Sequence, residues 1–311
     1  MLDVRRLRVL REVSARGSFS AAAEALHFTQ SAVSQQIAAL EREAGMPLVE
    51  RSARGVRLTH AGEILCGHTD VILARLADAE AELEAIAGLR GGRIRMASFA
   101  TAGATVAPVA IARFRERHPG VDITLVLAEP PEAVEKLRAG EIDAALLIDT
   151  PWDCPSDDGI ERTHLLDDPM YACLPRAHPR ASKSRLRLED LAEDAWLLGT
   201  TGHCPDASIL LRACAAAGFE PRIAFNSDDY LAIQGFVAAG MGVSLIPDLA
   251  LVTVRDDVVI REITPRPAVR RIVAATLAGG YRSPAGAAML EILIEVGAEF
   301  QTGRRELALA V

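Results

Sequence analysis

SFSAAAEALHFTQSAVSQQIAALEREAG, residues 18–45, holds two helical patterns parted by a short turn. In the first, FSAAAEAL, Ala22 and Leu26 share a face, and Ser18 or Ser20 stands where a hydroxyl can cap the N-terminus. The turn His27-Phe28-Thr29 leads to the second, in which Val33, Ile37 and Leu40 are spaced for burial and Gly45 is the stop. Upstream, Leu7, Leu10 and Val13 mark an earlier amphipathic helix ending at Gly17. Downstream, LVERSARGVRLT reads as two short strands around the turn Ser52-Ala53-Arg54-Gly55. Two helices joined by a short turn and followed by a basic-tipped hairpin outline a winged helix-turn-helix.

The start of the third helix is polar without being charged: Thr29, Gln30, Ser31, Ser34, Gln35 and Gln36. Glutamine can bond two atoms of an adenine edge and serine can bond bases or phosphates, so this face suits the major groove. Arg51 and Arg54 lie on the hairpin, where a wing would meet phosphate or the minor groove. The overall charge of −8 over 311 residues argues against nucleic acid at first sight. Its distribution reverses that reading. Residues 1–62 carry nine Arg against six Asp or Glu, a net of +3, whereas residues 63–92 stand at −4 and residues 93–311 at −7.

From Thr59 a long helix is predicted up to Gly88. Leu65, Ile72, Ala79 and Ile86 recur every seven residues, with Leu76 and Leu83 between them and Thr69 in the equivalent earlier place. Such a seam calls for a second copy of the helix. After Gly92 strands and helices alternate, in RIRMASF, a helix near 105–118, VDITLVLAE, EAVEKLRAG and IDAALLI. A second set follows, with MYACLP, WLLG, a helix near 207–217, RIAFN, LAIQGFVAAG and VSLIP. Alternation of this kind predicts parallel strands with crossover helices, and two α/β lobes with a ligand cleft between them.

The boundaries read from these patterns are a winged helix over 1–62, a linker helix over 59–90 and an effector-binding domain over 93–300. Within the last, lobe I takes about 93–163 and 269–300, and lobe II about 164–268. No apolar export segment opens the chain and no run of 18 apolar residues occurs, so a cytoplasmic protein with no membrane partner is expected. Five scattered cysteines suggest neither disulfides nor a zinc module. There is no GxSxG, P-loop, GxGxxG after a strand or HExxH, so no enzyme, catalytic residue, metal or cofactor is expected. The adjacent pairs Asp157-Asp158, Asp228-Asp229 and Asp256-Asp257 should point their side chains apart.

The run from Ser18 to Gly62 resembles the N-terminal signature of the LysR-type transcriptional regulators, and GRIRMASFATAG, RFRERHPGVDITL, LRAGEIDAALL and AIQGFVAAGMGVSLIP resemble that family's effector-binding region. The resemblance implies a winged helix-turn-helix, a dimerising linker helix and a two-lobed effector domain similar to type 2 periplasmic binding proteins, assembled as a homodimer or homotetramer. It implies base contacts from Gln30, Ser31, Ser34 and Gln35, and backbone contacts from Arg51 and Arg54. Ser31 and Val49 replace a frequent proline and phenylalanine, and Gln35 a frequent arginine, the last bearing on the operator sequence preferred. For the effector the resemblance implies Ser98 and Thr101 at a helix start, with Thr200, Thr201 and His203 on the opposite lobe. Free N–H groups at a helix start favour a carboxylate effector. Pro130 stands where members that bind aromatic acids have threonine.

The function expected is therefore sequence-specific binding of double-stranded DNA, at an operator with inverted half-sites, under control of a small molecule. RNA polymerase is a further candidate partner. Two alternatives are open to sequence. Cys204 and Cys214 stand in a loop and helix where peroxide-sensing members carry redox cysteines, although the spacing here is ten residues rather than nine. A small-molecule binding protein without DNA function is the alternative of another class.

Overall fold

The computed structural model describes residues 1–52, 55–86, 92–150, 152, 159–199, 205–279 and 282–309. The chain divides into two compact units, one of Met1–Gly92 with Arg138–Ile142, the other of Arg93–Leu137 with Asp143–Val311.

The first unit is built as the N-terminal motif predicts. Helices α1 (Val4–Arg16), α2 (Phe19–Ala25) and α3 (Gln30–Ala44) precede strands β1 (Val49–Ser52) and β2 (Gly55–Leu58). Each helix begins on a side-chain oxygen that accepts a free backbone N–H: Asp3 from Arg5, Ser18 from Ala21, Thr29 from Ala32. Of the two serines offered by sequence, Ser18 is the cap. α1 and α3 end at Gly17 and Gly45, both left-handed, at φ 65° and 72°. The apolar faces close on one core of Leu7, Leu10, Val13, Ala22, Val33, Ile37, Leu40 and Leu48, each large side chain worth about 1.5–3 kcal/mol on burial. β1 and β2 pair antiparallel from Val49↔Leu58 to Ser52↔Gly55.

α4 (His60–Ile86) follows, its start capped by Thr59, whose Oγ1 accepts the Gly62 N–H at 3.1 Å. The heptad seam expected here is divided in use. Ala61 and Leu65 pack on the helix-turn-helix core, and Thr69 is fully buried with Oγ1 donating to the Leu65 carbonyl. Ile72, Leu76 and Leu83 are exposed.

The second unit starts with β3 (Arg93–Ser98), α5 (Ala100–Ala104), α6 (Val106–Arg117), β4 (Asp122–Leu127), α7 (Pro130–Arg138) and β5 (Ala144–Asp149). The chain continues through β6 (Ile160–Pro175), β7 (Arg185–Leu186), β8 (Ala195–Leu198), α8 (Pro205–Ala216), β9 (Arg222–Asn226), α9 (Tyr230–Ala238) and β10 (Ser244–Pro247). It ends in β11 (Val258–Ile263), β12 (Val269–Leu277) and α10 (Pro284–Leu309). The main sheet runs β4-β3-β5-β12-β6-β11-β7, with β10 also on β6.

The alternation of strands and helices predicts parallel pairing, and β3 with β4, β3 with β5 and β8 with β9 are parallel. β7 and β11 are parallel as well, but β12 is antiparallel to β5 and β6, and β10 and β11 are antiparallel to β6. The reason is β6. Sequence marked only its second half, yet it runs unbroken for 16 residues, pairing with β12 along its first part and with β10 and β11 along its last. Among the described residues no helix is long and apolar enough to cross a membrane.

Candidate functional site

Two places gather the groups that function would need. The first is the start of α3. Gln30, Ser31 and Gln35 are exposed and Ser34 is half-buried, while Val33, Ile37 and Leu40, interleaved with them, are buried. The helix period thus holds four polar side chains outward by anchoring their neighbours inward. Gln36, next in line, is engaged on its own unit, accepting from Arg6 Nε at 3.3 Å. The turn before the helix places His27 at φ 55°, an unusual backbone for a residue with a side chain. Of Arg51 only the backbone is described, on β1, and Arg54 lies outside the described residues.

The second is a cleft in the effector unit, built around a residue the sequence did not single out. On β12, Val269 and Arg271 are exposed and Arg270 between them is buried, because successive side chains of a strand leave opposite faces. Its guanidinium meets Asp168 of β6 (Nε to Oδ2, 2.9 Å), Asp206 in the first turn of α8 (2.9 Å) and the Thr101 hydroxyl of α5 (2.9 Å). The ring of Phe99 lies 5.4 Å from it. Burial alone would lower its pKa, but Asp206 and Asp168 reverse the effect and hold it above the ordinary arginine value. An arginine at 1% exposure is sustained only by such pairing.

Tyr230, at the start of α9, donates its hydroxyl to the same Asp206 carboxylate oxygen that takes Arg270. Asp206 is only 5% exposed, and its other oxygen, Oδ1, is buried without a hydrogen-bond partner. Glu129, just before α7, and Asp228 complete the charged lining. Burial, then the charges of Asp206 and Asp228, push the Glu129 carboxyl up to about 7. The walls enclose about 20 Å³ of free volume, room for about one water molecule, so an organic effector must part them.

The effector residues implied by sequence separate here. Thr101 lines the cleft and holds Arg270. Ser98 does not line it: it is fully buried, with Oγ donating to the Phe99 carbonyl at 3.0 Å. Thr200, Thr201 and His203 lie outside the described residues, as does Cys204. The Asp228-Asp229 pair diverges as expected, Asp228 to the cleft and Asp229 to cap α9 through the Leu231 and Ala232 N–H groups. Arg270, Asp168, Asp206, Glu129 and Tyr230 are the residues sequence reasoning missed. The Pro-Asp step opening α8 was a legible signal for Asp206; for Arg270 there was none, since Arg271 beside it is chemically identical.

Comparison with known proteins identifies the domains in which the two places lie. Residues 4–63 match the bacterial regulatory helix-turn-helix of the lysR family, and residues 87–298 match the LysR substrate binding domain. The chain belongs to the LysR family of transcriptional regulators. It is 32% identical over 299 residues, 96% of this chain and 98% of the relative, to a probable HTH-type transcriptional regulator LrrA of Synechococcus elongatus. It is 34% identical over 251 residues, 79% of this chain and 78% of the relative, to a probable hydrogen peroxide-inducible genes activator of Mycobacterium avium. Among solved structures, full-length CbnR in complex with its target DNA covers 95% of this chain and all of its own, at a TM-score of 0.71 and 25% identity. This LysR-type regulator therefore joins a DNA-binding helix-turn-helix to an effector-binding α/β domain.

Proposed function

We propose that this regulator reads its operator through Gln30, Ser31, Ser34 and Gln35, with Arg51 and Arg54 on the DNA backbone or minor groove, and that a small molecule entering the Arg270 cleft controls it. The observation that carries the reading is the outward display of four polar residues at the capped start of α3, within the segment 1–62 whose net charge is +3. Thr101 contributes to the effector site; Ser98, sealed below it, supports the strand end rather than touching the effector. Thr200, Thr201 and His203 are retained as effector contacts on the opposite lobe. The protein works in the cytoplasm, where its DNA is, and performs no catalysis. RNA polymerase is its further partner at the promoter.

Pairing of two copies follows from α4. Ile72, Leu76 and Leu83 expose apolar surface at helical spacing, and a second copy of the same helix covers such a seam at least cost. A homodimer, or a homotetramer made from two dimers, then presents two recognition helices to inverted half-sites about one helical turn or a multiple apart. The test is a mobility shift on the regulator's own promoter fragment, with Gln30→Ala and Arg54→Ala combined: loss of the specific shift supports the assignment, and an unchanged shift refutes it. Sedimentation of Leu76→Glu checks the pairing, with dissociation expected.

Redox sensing draws no support from Cys214, which is buried on α8 with its thiol pushed up by desolvation to about 12. A thiol so far from ionisation is a poor nucleophile.

A further inference from the structure

We infer that the effector of this regulator carries a positive charge, an ammonium or guanidinium group, which the cleft receives between Asp206, Glu129 and Asp228. The inference rests on the cleft being the effector site, as proposed above, and adds the chemistry of what enters. It replaces the carboxylate suggested by the sequence.

Charge on the walls comes first. Among the described residues the cleft is lined by one guanidinium, Arg270, and by the carboxyl groups of Asp206, Glu129 and Asp228, with a fourth, that of Asp168, directly behind Arg270. Arg270 is already committed. Four hydrogen bonds run from it to Asp168, Asp206 and Thr101, leaving the guanidinium a single N–H. An entering carboxylate would find little of that cation to bind and several anions to repel it.

The second observation is Asp206 Oδ1. This oxygen is buried and accepts no hydrogen bond, on a carboxylate that is 95% buried and belongs to the cleft lining, while its sister oxygen takes both Arg270 and Tyr230. A buried carboxylate oxygen without a donor is costly, so it calls for a ligand N–H or O–H. The third concerns the helix starts, where an anion would ordinarily be welcomed. Those of α8 and α9 hold the protein's own carboxylates, Asp206 in the first turn of α8 and Asp229 capping α9, whereas the start of the five-residue α5, at Phe99, Ala100 and Thr101, also lines the cleft and has no side-chain cap. α7 opens on Pro130 and Pro131, which have no N–H to give. Burial first, and then crowding by Asp206 and Asp228, keeps the Glu129 proton bound to about pH 7, and a neighbouring cation relieves the second of these.

The test uses the full-length protein and a low-molecular-weight extract of its native cells, split on cation- and anion-exchange resins, with thermal denaturation as the readout. The stabilising fraction is expected on the cation exchanger. Glu129→Gln should need about ten-fold more of that fraction for the same shift, since a hydrogen bond to a charged group is lost. Asp122→Asn, on the exposed face of β4, should respond as wild type. Its own melting curve shows whether Glu129→Gln is folded, and Asp206→Asn gives a second reading at the oxygen concerned. Stabilising activity on the anion exchanger or in the flow-through overturns the assignment of charge and leaves the cleft standing. So does an equal response of wild type and Glu129→Gln. If no fraction stabilises wild type more than Ala100→Trp, whose indole fills the cleft, the cleft itself is not the effector site.

Discussion

Arg270 and Asp168 stand directly opposite each other on the antiparallel strands β12 and β6, at 1% and 0% exposure. A cross-strand pair so deeply buried ties β12 to β6 at the middle of the long strand. Asp168 does a second task from the same position, accepting the Leu249 N–H through Oδ1 at 3.0 Å. Replacing it by alanine strands a buried guanidinium and a backbone donor together. Asp168→Ala is expected to cost about 3–5 kcal/mol, measured by urea unfolding of the effector unit's transition; a loss below about 1 kcal/mol would mean Asp206 alone suffices for Arg270.

Glu129 makes stability depend on pH. Its carboxyl titrates at about 7 in the folded protein, raised by burial and by Asp206 and Asp228, with Glu132 adding to and Arg270 opposing the effect, against about 4.3 when unfolded. The native state therefore holds a proton that the unfolded chain releases. Stability from this group is full below about pH 4, falls as pH rises, and is spent above about pH 7. Glu129→Gln should melt a few degrees above wild type at pH 8 and level with it at pH 4. A constant difference between the two pH values would show ordinary titration. For a cationic effector the sign is opposite, with affinity rising through pH 7 as the carboxylate forms.

Thr29 and Gln30 are neighbours with separable work. Thr29 caps α3 by accepting the Ala32 N–H, so Thr29→Ala should lower stability by about 1 kcal/mol. Gln30 projects to solvent and should leave the melting temperature alone when changed to alanine. Its expected loss is in discrimination between operator and random DNA, about ten-fold or more. Competition shifts at fixed salt separate the two, and a stability loss in Gln30→Ala would place it in the fold instead.

Gly62 carries a steric demand. A Cβ at this position would lie 2.1 Å from the Leu48 carbonyl oxygen, a backbone atom that cannot swing aside. Gly62→Ala should force α4 away from the segment entering β1 and destabilise the DNA-binding unit by about 1–3 kcal/mol. Helix propensity alone would predict a gain of about 1 kcal/mol, so the sign of the change in chemical denaturation decides.

Cys214 should resist alkylation. Native protein at pH 8 is expected to leave its thiol unmodified by iodoacetamide, with labelling only on unfolding, because burial holds it protonated. Mass spectrometry of the α8 peptide checks this, and rapid native labelling would return redox sensing to consideration.

Local pattern was enough for much of this protein. The cap at Ser18 or Ser20, the stops at Gly17 and Gly45 and the spacing of Val33, Ile37 and Leu40 are interactions within a few residues, and they sufficed to place the third helix and its outward face, while the cap at Thr29 became visible only in the structure. The cleft was different. Which of Arg270 and Arg271 turns inward depends on the register of β12 against β6, a pairing of residues 102 positions apart. Whether Ser98 or Thr101 reaches the cleft depends on where β3 ends and the short α5 begins. The effector's charge follows from the meeting of Asp206, Glu129 and Asp228 around one engaged arginine. Short-range hydrogen bonding and helical period are written along the chain; the field inside a cleft is a sum over residues that only the folded sheet brings together.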